Sequence, residues 1–240
     1  CTLSVDNTNG GSAMNWDVKL KHAEALELGP NKDDPNGPST RNVFVDNLVG
    51  ALQEDRFILN GEATQEFQPH FTYHGFRFVR VTAPPTIATR LTTNSLVGCV
   101  IHSSVPVTGA FACYGTNAMD NNAKAVLERN LVNKLMTNAF WSLRGNLQGV
   151  FTACTQRYER QGYFYDEHIF SQTACYFADM SGFLSKFIKD VRENQAANGR
   201  YSVYAPYANF SYIDPPAGED PGLEVGGLIF PWRMYQNYAD

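Results

Sequence analysis

The chain contains little charge and no long apolar segment. Only 18% of its 240 residues are charged, the net charge is −5, and Lys and Arg form no basic run. Nucleic-acid-binding proteins use Lys and Arg to neutralise phosphates, so this composition argues against a nucleic-acid partner. No segment approaches the roughly 20 apolar residues that a membrane-spanning helix needs. We therefore expect neither nucleic-acid binding nor a membrane span.

Cysteine is scarce and irregularly spaced. A C-x-x-C pair is the usual sign of a zinc or thioredoxin-like site, and the five cysteines include no such pair. We therefore expect neither a metal nor an organic cofactor. Cys1 opens the chain in place of Met; cleavage of a lipoprotein signal and a fragment boundary explain it equally well. The single N-x-S/T acceptor, at Asn209, would matter only in a eukaryotic secretory setting.

Apolar and aromatic residues are plentiful, at 43% and 13% of the chain, which predicts a globular protein of one large or two modest domains. The first half is typical of β-structure, because polar turn clusters separate short runs of β-branched and aromatic residues. Leu96–Ile101 is a continuous apolar run that favours a strand buried on both faces. The other predicted strands include 43–45, 56–59 and 76–81. An antiparallel β-sandwich over residues 1–114 accounts for this pattern.

After Tyr114 the apolar period changes from 2 to 3.6, which indicates helices. The first is predicted over 118–143, with Thr116 or Asn117 as its N-cap. One of its faces carries Leu127, Leu131, Leu135, Met136 and Phe140. Further helices are predicted over 166–178, 182–196 and 228–238. Residues 115–240 therefore form a helical domain.

Three motifs in this order resemble one enzyme family. Lys21–Leu26 resembles a basic-H-A-E-x-L strand, and Phe67–Val79 matches the signature F-x-P-x-F-T-Y-H-G-F-R-Y-V almost residue for residue. Trp141–Asn146 resembles W-S-x-R-G-N. From about residue 20 onward the chain thus resembles the α-L-rhamnosidases of glycoside hydrolase family 78. The resemblance implies a β-sandwich over 1–114 followed by a partial (α/α)6 barrel over 115–240.

The resemblance continues into the segment that would carry the chemistry. The family pattern D-C-P-Q-R-D-E-R-x-G-W-x-G-D corresponds to A-C-T-Q-R-Y-E-R-Q-G-Y-F-Y-D at Ala153–Asp166. It implies Glu159 as the general acid, Arg157 and Asp166 as residues that bind the rhamnose hydroxyls, and Tyr163 as an aromatic wall. The implied reaction is inverting hydrolysis of terminal α-L-rhamnose, which needs no cofactor but requires a second carboxylate as general base.

The chain departs from the family pattern at several positions. Ala153 and Tyr158 stand where the family has Asp, and Leu223–Gly226 replaces its W-G-D-A. Twelve helices with their connections need roughly 190 residues, whereas residues 115–240 number 126. A general base that lies late in the barrel has no counterpart here, and a partial barrel leaves apolar helix faces uncovered.

Three functional classes remain open. The first is the front part of an α-L-rhamnosidase, completed by a second chain or by sequence that is missing here. The second is an inactive relative that still binds a rhamnose-containing glycan. The third is a structural subunit that forms a homo-oligomer through its uncovered helices. The expected location is secreted, periplasmic or at the cell surface, with lipid on Cys1 in the lipoprotein alternative.

The candidate residues also have purely structural interpretations. The alternative role for Glu159 is an ion pair with Arg157 or Arg160, and Asp166 has the same kind of alternative. Tyr163 has core or interface packing as its alternative. The histidines of the predicted sandwich are expected to pack there without a catalytic role; they are His22, His70 and His74.

Overall fold

The described part of the chain divides into two compact units. In the computed structural model, the first unit contains Cys1–Ile101 together with Thr155–Glu159, and the second contains His102–Cys154 and Arg160–Asp240. The segment with the candidate acid therefore clusters with the first unit, although the residues on both sides of it cluster with the second. The structure describes residues 1–6, 14–28, 42–114, 122–207 and 221–240.

The first unit is built from antiparallel strands. Its described residues form β1 (Thr2–Asp6), β2 (Met14–Ala23), β3 (Ala25–Leu26), β4 (Val43–Phe44), β5 (Glu54–Asn60), β6 (Thr64–Phe67), β7 (Phe78–Thr82) and β8 (Leu96–Val97), with one short α-helix, α1 (Pro85–Ala88), and two 3-10 helices at Asp46–Leu48 and Thr93–Ser95. Two three-stranded sheets have the orders β6-β1-β8 and β5-β2-β7, and β3 pairs with β4. In the register of the second sheet, Leu20 of β2 lies opposite Asp55 of β5 and Val81 of β7.

Side chains of both sheets share one core. Leu3 of β1, Val18 and Leu20 of β2, and Leu59 of β5 are fully buried in a single apolar cluster. Val18 and Leu20 point to the same side because alternate residues of a strand share a face. The first unit is therefore an antiparallel β-sandwich, which confirms the predicted fold class for this part of the chain.

The strand predicted over Leu96–Ile101 is wrong in length and in burial. β8 ends at Val97, and the residues after it make no strand pairing. Val100 and Ile101 are more than half exposed. A continuous apolar run cannot by itself distinguish a buried strand from an exposed apolar segment, since both have the same composition.

The second unit is helical. In its described residues the helices are α2 (Ala123–Asn146), α3 (Phe164–Phe177), α4 (Ser181–Glu193), α5 (Pro221–Glu224) and α6 (Gly226–Tyr238). The four longer ones confirm the helices predicted from periodicity, with ends that differ by at most five residues. α3 packs against α5 and α6, and α4 packs against α6.

The start of α2 differs from the prediction. Thr116 and Asn117, the predicted N-caps, lie outside the described residues, and the helix begins beyond them at Ala123. Asn122 caps it, because its Oδ1 accepts a hydrogen bond from Ala125 N at 2.9 Å. Asn is a preferred N-cap, so the sequence contains the correct signal a few residues after the one that the prediction chose.

Aromatic rings fill the core of the second unit. Phe230 of α6 contacts Phe187 of α4 at a centroid distance of 5.1 Å and Phe164 of α3 at 5.9 Å, both edge-on. Phe151, which precedes α3, contacts Phe187 at 5.7 Å. Edge-to-face pairs of this kind stabilise a core beyond the area that they bury. They also fix the start of α3, where two candidate site residues lie.

One face of α2 is apolar and exposed. Leu127, Leu131 and Leu135 are 58%, 57% and 63% exposed, whereas Met136 and Phe140, nearer the end of the helix, pack against the core of the second unit. The predicted stripe is therefore real, but only its C-terminal part is covered. This exposure agrees with the expectation that a partial barrel leaves apolar helix faces uncovered.

The remaining predictions concern membrane insertion and the cysteines. Among the described residues, no helix combines the length and the apolarity needed to cross a bilayer. All five cysteines are described, and the structure holds each of them as a thiol outside any disulfide. Asn209, the predicted acceptor, lies outside the described residues.

Candidate active site

The candidate acid segment, Thr155–Glu159, is bounded by two residues with left-handed backbone conformation. Cys154 has φ 53° and Arg160 has φ 52°, a region that residues other than glycine adopt infrequently. Just outside these two residues, Ala153 N donates a hydrogen bond to Gln161 O at 2.9 Å. This bond closes the base of a short loop, so the sequence between its ends is held as a compact turn.

Two hydrogen bonds anchor this loop within the first unit. The side-chain Nε2 of Gln53 donates to the backbone carbonyl of Gln156. Arg157 Nε donates to the carbonyl of Asn47 at 3.2 Å. Both partners precede the loop by more than 100 residues. The backbone that carries Glu159 is thus fixed by the β-sandwich.

Close packing of Gly75 against the loop adds a steric constraint. A Cβ at this position would lie 3.0 Å from Gln156 N and 3.0 Å from Thr155 Oγ1. These distances are shorter than ordinary van der Waals contact. The glycine in the Phe67–Val79 signature is therefore explained by the close approach of two segments of backbone.

A buried network of polar side chains lies behind Gln53. Gln53 Oε1 contacts His74 Nδ1, and His74 Nε2 lies 3.0 Å from Asp55 Oδ1. His22 is fully buried, and its ring stacks on that of His74 with centroids 4.2 Å apart. His22 and His74 therefore pack in the sandwich as expected, but they also belong to a hydrogen-bonded chain that reaches the loop with the candidate acid.

The same cluster has the composition of a metal site. Within the described residues, His22, Asp55 and His74 form the one group of three possible ligands whose atoms all lie within 4.8 Å of one another. Both nitrogens of His74 already face oxygen atoms of Gln53 and Asp55. The observed arrangement is accordingly that of a hydrogen-bond network.

Burial sets the protonation state of His22. Burial, followed by the positive charge of His74, lowers its pKa to about 4, while Asp55 acts in the opposite direction. His22 is therefore neutral at neutral pH. Its Nδ1 lies 3.3 Å from the backbone carbonyl of Gln53, which can only accept, so Nδ1 carries the hydrogen.

Glu159 and Arg157 lie side by side on the loop. Arg157 Nη1 is 4.0 Å from Glu159 Oε1, and the two side chains are 38% and 27% exposed. Partly exposed pairs at this distance contribute little stability. This geometry fits the alternative role predicted for Glu159, an ion pair with Arg157. It also leaves the Glu159 side chain partly accessible at the surface of the turn.

Tyr163 and Asp166 belong to the second unit, at the beginning of α3. Tyr163 is partly buried, and its ring meets that of Tyr204 edge-on at 5.4 Å. Asp166 is exposed in the first turn of the helix, where the helix dipole favours a negative charge. The structure thus groups the four predicted residues in pairs: Arg157 with Glu159 in the first unit, and Tyr163 with Asp166 in the second.

A cavity of about 330 Å³ lies within the second unit, between the end of α2, the segment before the loop and the start of α3. This volume is at the lower end of the range for small-molecule sites. Asp166 and the next residue, Glu167, both line it. The other lining residues are Ser142, Leu143, Asn146, Phe151, Thr152, Ala153, Cys154 and Phe170.

Sequence reasoning missed Glu167. Its side chain is buried, with only 6% of the residue exposed. Burial, together with the adjacent charge of Asp166, raises the pKa of its carboxyl to about 9. A D-E-H triplet on a helix is normally a solvated surface, so no local signal distinguishes this glutamate from an exposed one.

Family models match both parts of the chain. The bacterial alpha-L-rhamnosidase concanavalin-like domain matches residues 7–102. The bacterial alpha-L-rhamnosidase 6 hairpin glycosidase domain matches residues 124–240. The two matches follow the order of the sandwich and the helices described above.

Individual rhamnosidases agree with this assignment. An alpha-L-rhamnosidase of Streptomyces avermitilis is 33% identical over 223 residues, which is 93% of this chain and 18% of that protein. The structure of the alpha-L-rhamnosidase from Dictyoglumus thermophilum matches all of this chain and 23% of its own, with 28% identity and a TM-score of 0.78. The Streptomyces avermitilis enzyme complexed with L-rhamnose matches all of this chain and 20% of its own, with 31% identity and a TM-score of 0.77.

The chain thus spans about a fifth of the length of the relatives that it matches. Two domain models of the same family together cover most of its residues in the expected order, and the two solved structures compared above are both rhamnosidases. The chain belongs to the bacterial α-L-rhamnosidase family.

Proposed function

We propose that the chain forms the front part of an inverting α-L-rhamnosidase and carries its general acid, Glu159. The observation that carries the proposal is the placement of this residue. Its side chain is 27% exposed on a turn that Gln53 and Arg157 anchor to the sandwich. A general acid needs this combination, since it must reach the glycosidic oxygen and be held in place.

Each of the other predicted residues has a role in the proposal. Arg157 and Asp166 bind hydroxyls of a terminal rhamnose, and Tyr163 packs against its apolar face. The water-activating carboxylate, which must lie roughly 6.5–9.5 Å from the acid in an inverting enzyme, comes from residues outside these 240. Those residues belong either to a longer form of the same protein or to a second chain.

The test has two steps. Native mass spectrometry of the purified particle first identifies every chain in it, and the same particle is then assayed with an aryl α-L-rhamnoside. Glu159→Gln should lower kcat by about 10²–10⁴-fold, because it removes general acid catalysis. Glu193→Gln, at an exposed position of α4, is the matched control and should leave the rate unchanged. Full turnover by Glu159→Gln would refute the acid assignment.

A second candidate function rests on a different observation. Ala153 and Tyr158 replace two carboxylates of the family pattern, and the exposed leucines of α2 form an apolar surface. We propose as the alternative an inactive, carbohydrate-binding or structural subunit that associates with copies of itself through this helix. Sedimentation velocity should then show concentration-dependent association, which Leu131→Lys abolishes. A monomer at all concentrations would exclude self-association.

The substrate also determines the proposed location. A terminal α-L-rhamnose on plant or microbial glycans is met outside the cytoplasm, so we propose that the protein is secreted, periplasmic or held at the cell surface. Cell fractionation of the native host with an antibody against this chain tests the proposal. Recovery in the cytoplasmic fraction alone would contradict it.

A further inference from the structure

Two buried histidines of the sandwich converge on Gln53. The backbone carbonyl of Gln53 accepts a hydrogen bond from His22 N at 2.8 Å and lies 3.3 Å from Nδ1 of the same histidine. The side-chain oxygen of Gln53 contacts His74 Nδ1. Gln53 is only 2% exposed. One histidine therefore holds its main chain, and the other holds its side chain.

The side-chain amide of Gln53 has two unlike ends, and the candidate acid loop can use only one of them. The backbone carbonyl of Gln156 is an acceptor, so the amide nitrogen must face it. A flip of the amide would set its oxygen against that carbonyl and leave two acceptors without a donor, which costs free energy. The contact of the amide oxygen with His74 therefore favours the orientation that the loop requires.

Asp55 holds His74 in turn. His74 Nε2 lies 3.0 Å from Asp55 Oδ1, and the two side chains are 7% and 9% exposed. The ring of His74 also stacks on the ring of His22, which limits the rotation of the imidazole. A series of buried polar contacts thus leads from Asp55 through His74 and Gln53 to the backbone of the loop.

Gln53 differs from Arg157, the other anchor of the loop. The Arg157 side chain is 38% exposed, and the proposed function already assigns it to substrate binding. Gln53 is buried, and it holds the carbonyl of Gln156, three residues before Glu159. Displacement of a catalytic group by about 1 Å can lower a rate by about 10²-fold. The buried contact of Gln53 is therefore placed to control the position of the acid.

We infer that Gln53 is a positioning residue for Glu159 and that His74 and Asp55 act through it. Gln53 affects the reaction through the backbone of the loop, so it need not touch the substrate. The inference deepens the proposed function and rests on it for the role of Glu159 as the acid. It gives the polar network of the sandwich a function beyond packing.

The first test measures the loop itself in the full 240-residue chain. Amide ¹⁵N relaxation should give order parameters of about 0.85 for residues 156–159 in the wild type and below about 0.6 in Gln53→Met, which cannot donate to the Gln156 carbonyl. His74→Phe keeps a stacking ring but frees the Gln53 amide, so we expect a smaller decrease; it also provides the test should Gln53→Met not fold. Ile87→Val, in the core of the same unit, is the control for a general loss of stability and should leave the loop unchanged.

The second test is a double-mutant cycle in the aryl α-L-rhamnoside assay of the purified particle. Gln53→Met should lower kcat by about 10–10²-fold in the wild-type background. It should leave the residual rate of Glu159→Gln unchanged, because the acid that it positions is already absent. A general structural defect would instead lower both rates by the same factor. Ile87→Val should keep the parent rate in both backgrounds.

The two tests separate the possible failures. Wild-type order parameters in Gln53→Met would overturn the positioning role, whatever the activity, and so would equal losses of rate in the two backgrounds of the cycle. Wild-type order parameters in His74→Phe would overturn the part assigned to His74 and Asp55. If Gln53→Met makes the loop mobile but the particle hydrolyses no rhamnoside, or Glu159→Gln retains full turnover, the loop contact stands and the proposed function fails.

Discussion

His74 Nε2 lies 3.0 Å from Asp55 Oδ1, and His74 Nδ1 faces Oε1 of Gln53. The orientation of the Gln53 amide is determined by the carbonyl of Gln156, which accepts from its Nε2. Both imidazole nitrogens thus face oxygen atoms, and each contact needs a proton. His74 is therefore held between two oxygen partners, Gln53 Oε1 and Asp55 Oδ1.

This arrangement predicts unequal effects for two substitutions of Asp55. In Asp55→Asn, the new amide can still hydrogen-bond to His74 Nε2, so the network survives. In Asp55→Leu, buried polar atoms lose their partner, and we expect the free energy of unfolding to fall by about 1–3 kcal/mol more than in the amide variant. Urea unfolding of both variants provides the comparison.

Trp16 can report on the first unit alone. Its side chain packs against the sandwich core, and the other two tryptophans are Trp141 and Trp232 of the second unit. In a background with Trp141→Phe and Trp232→Phe, fluorescence therefore follows the sandwich. Equal losses for the two Asp55 variants in this background would contradict the role of Asp55 as a hydrogen-bond partner of His74.

His22 should make the sandwich sensitive to acid. Its pKa is lowered from 6.5 to about 4 in the folded protein, so the unfolded chain binds more protons between these values. Stability should therefore rise with pH across this window, by up to about 1.4 kcal/mol per pH unit, and be lost as the pH falls towards 4. His22→Phe should flatten this dependence in the Trp16 assay. His70→Phe, at an exposed position, should leave it unchanged.

Gly75→Ala should loosen the loop that carries Glu159. The added Cβ would meet Gln156 N and Thr155 Oγ1 at 3.0 Å, and overpacking of this kind typically costs about 1–3 kcal/mol. We expect faster amide hydrogen exchange at 155–159 and a lower urea midpoint. Gly98→Ala is the control, because a Cβ there meets nothing within 4 Å. Identical exchange in the two variants would rule out the steric explanation.

Glu167 should destabilise the helical unit as the pH rises. Its pKa is about 9 in the folded protein against an ordinary value of 4.5, so the folded state binds more protons between these values. The stability that is present below pH 4.5 is then lost towards pH 9, by up to about 1.4 kcal/mol per unit. Glu167→Gln should match the wild type at pH 4.5 and exceed its stability at pH 8, as followed by helical circular dichroism. Glu193→Gln should track the wild type at both pH values.

Local patterns predict the elements of this fold better than they predict its site. Periodicity finds the four longer helices, and short runs of β-branched and aromatic residues find the strands near 43–45, 56–59 and 76–81. The segment Leu96–Ile101 fails because apolar composition does not reveal what covers it. The exposed face of α2 makes the same point, since the period of Leu127, Leu131 and Leu135 defines a stripe without defining its partner.

Local patterns identify some of the candidate site residues and miss others. A motif is a local pattern, so the resemblance to the family could identify Glu159 and Asp166 as candidate site residues. Gln53 could not be found in that way, because its importance comes from a hydrogen bond to a residue 103 positions later. Glu167 depends on burial, which three-dimensional packing decides. The boundary predicted at residues 114 and 115 stays a prediction, since 115 lies outside the described residues.

The allocation of Thr155–Glu159 to the sandwich unit limits how freely the two domains can recombine. A gene fusion that joined a foreign β-domain to these helices would keep the glutamate in the reading frame and lose the Gln53 amide and the Asn47 carbonyl that hold its backbone. Selection on the candidate acid therefore acts on codons in both halves of the gene. We therefore expect the sequences of the sandwich and of the helical domain to be inherited together, and an engineered variant should keep both.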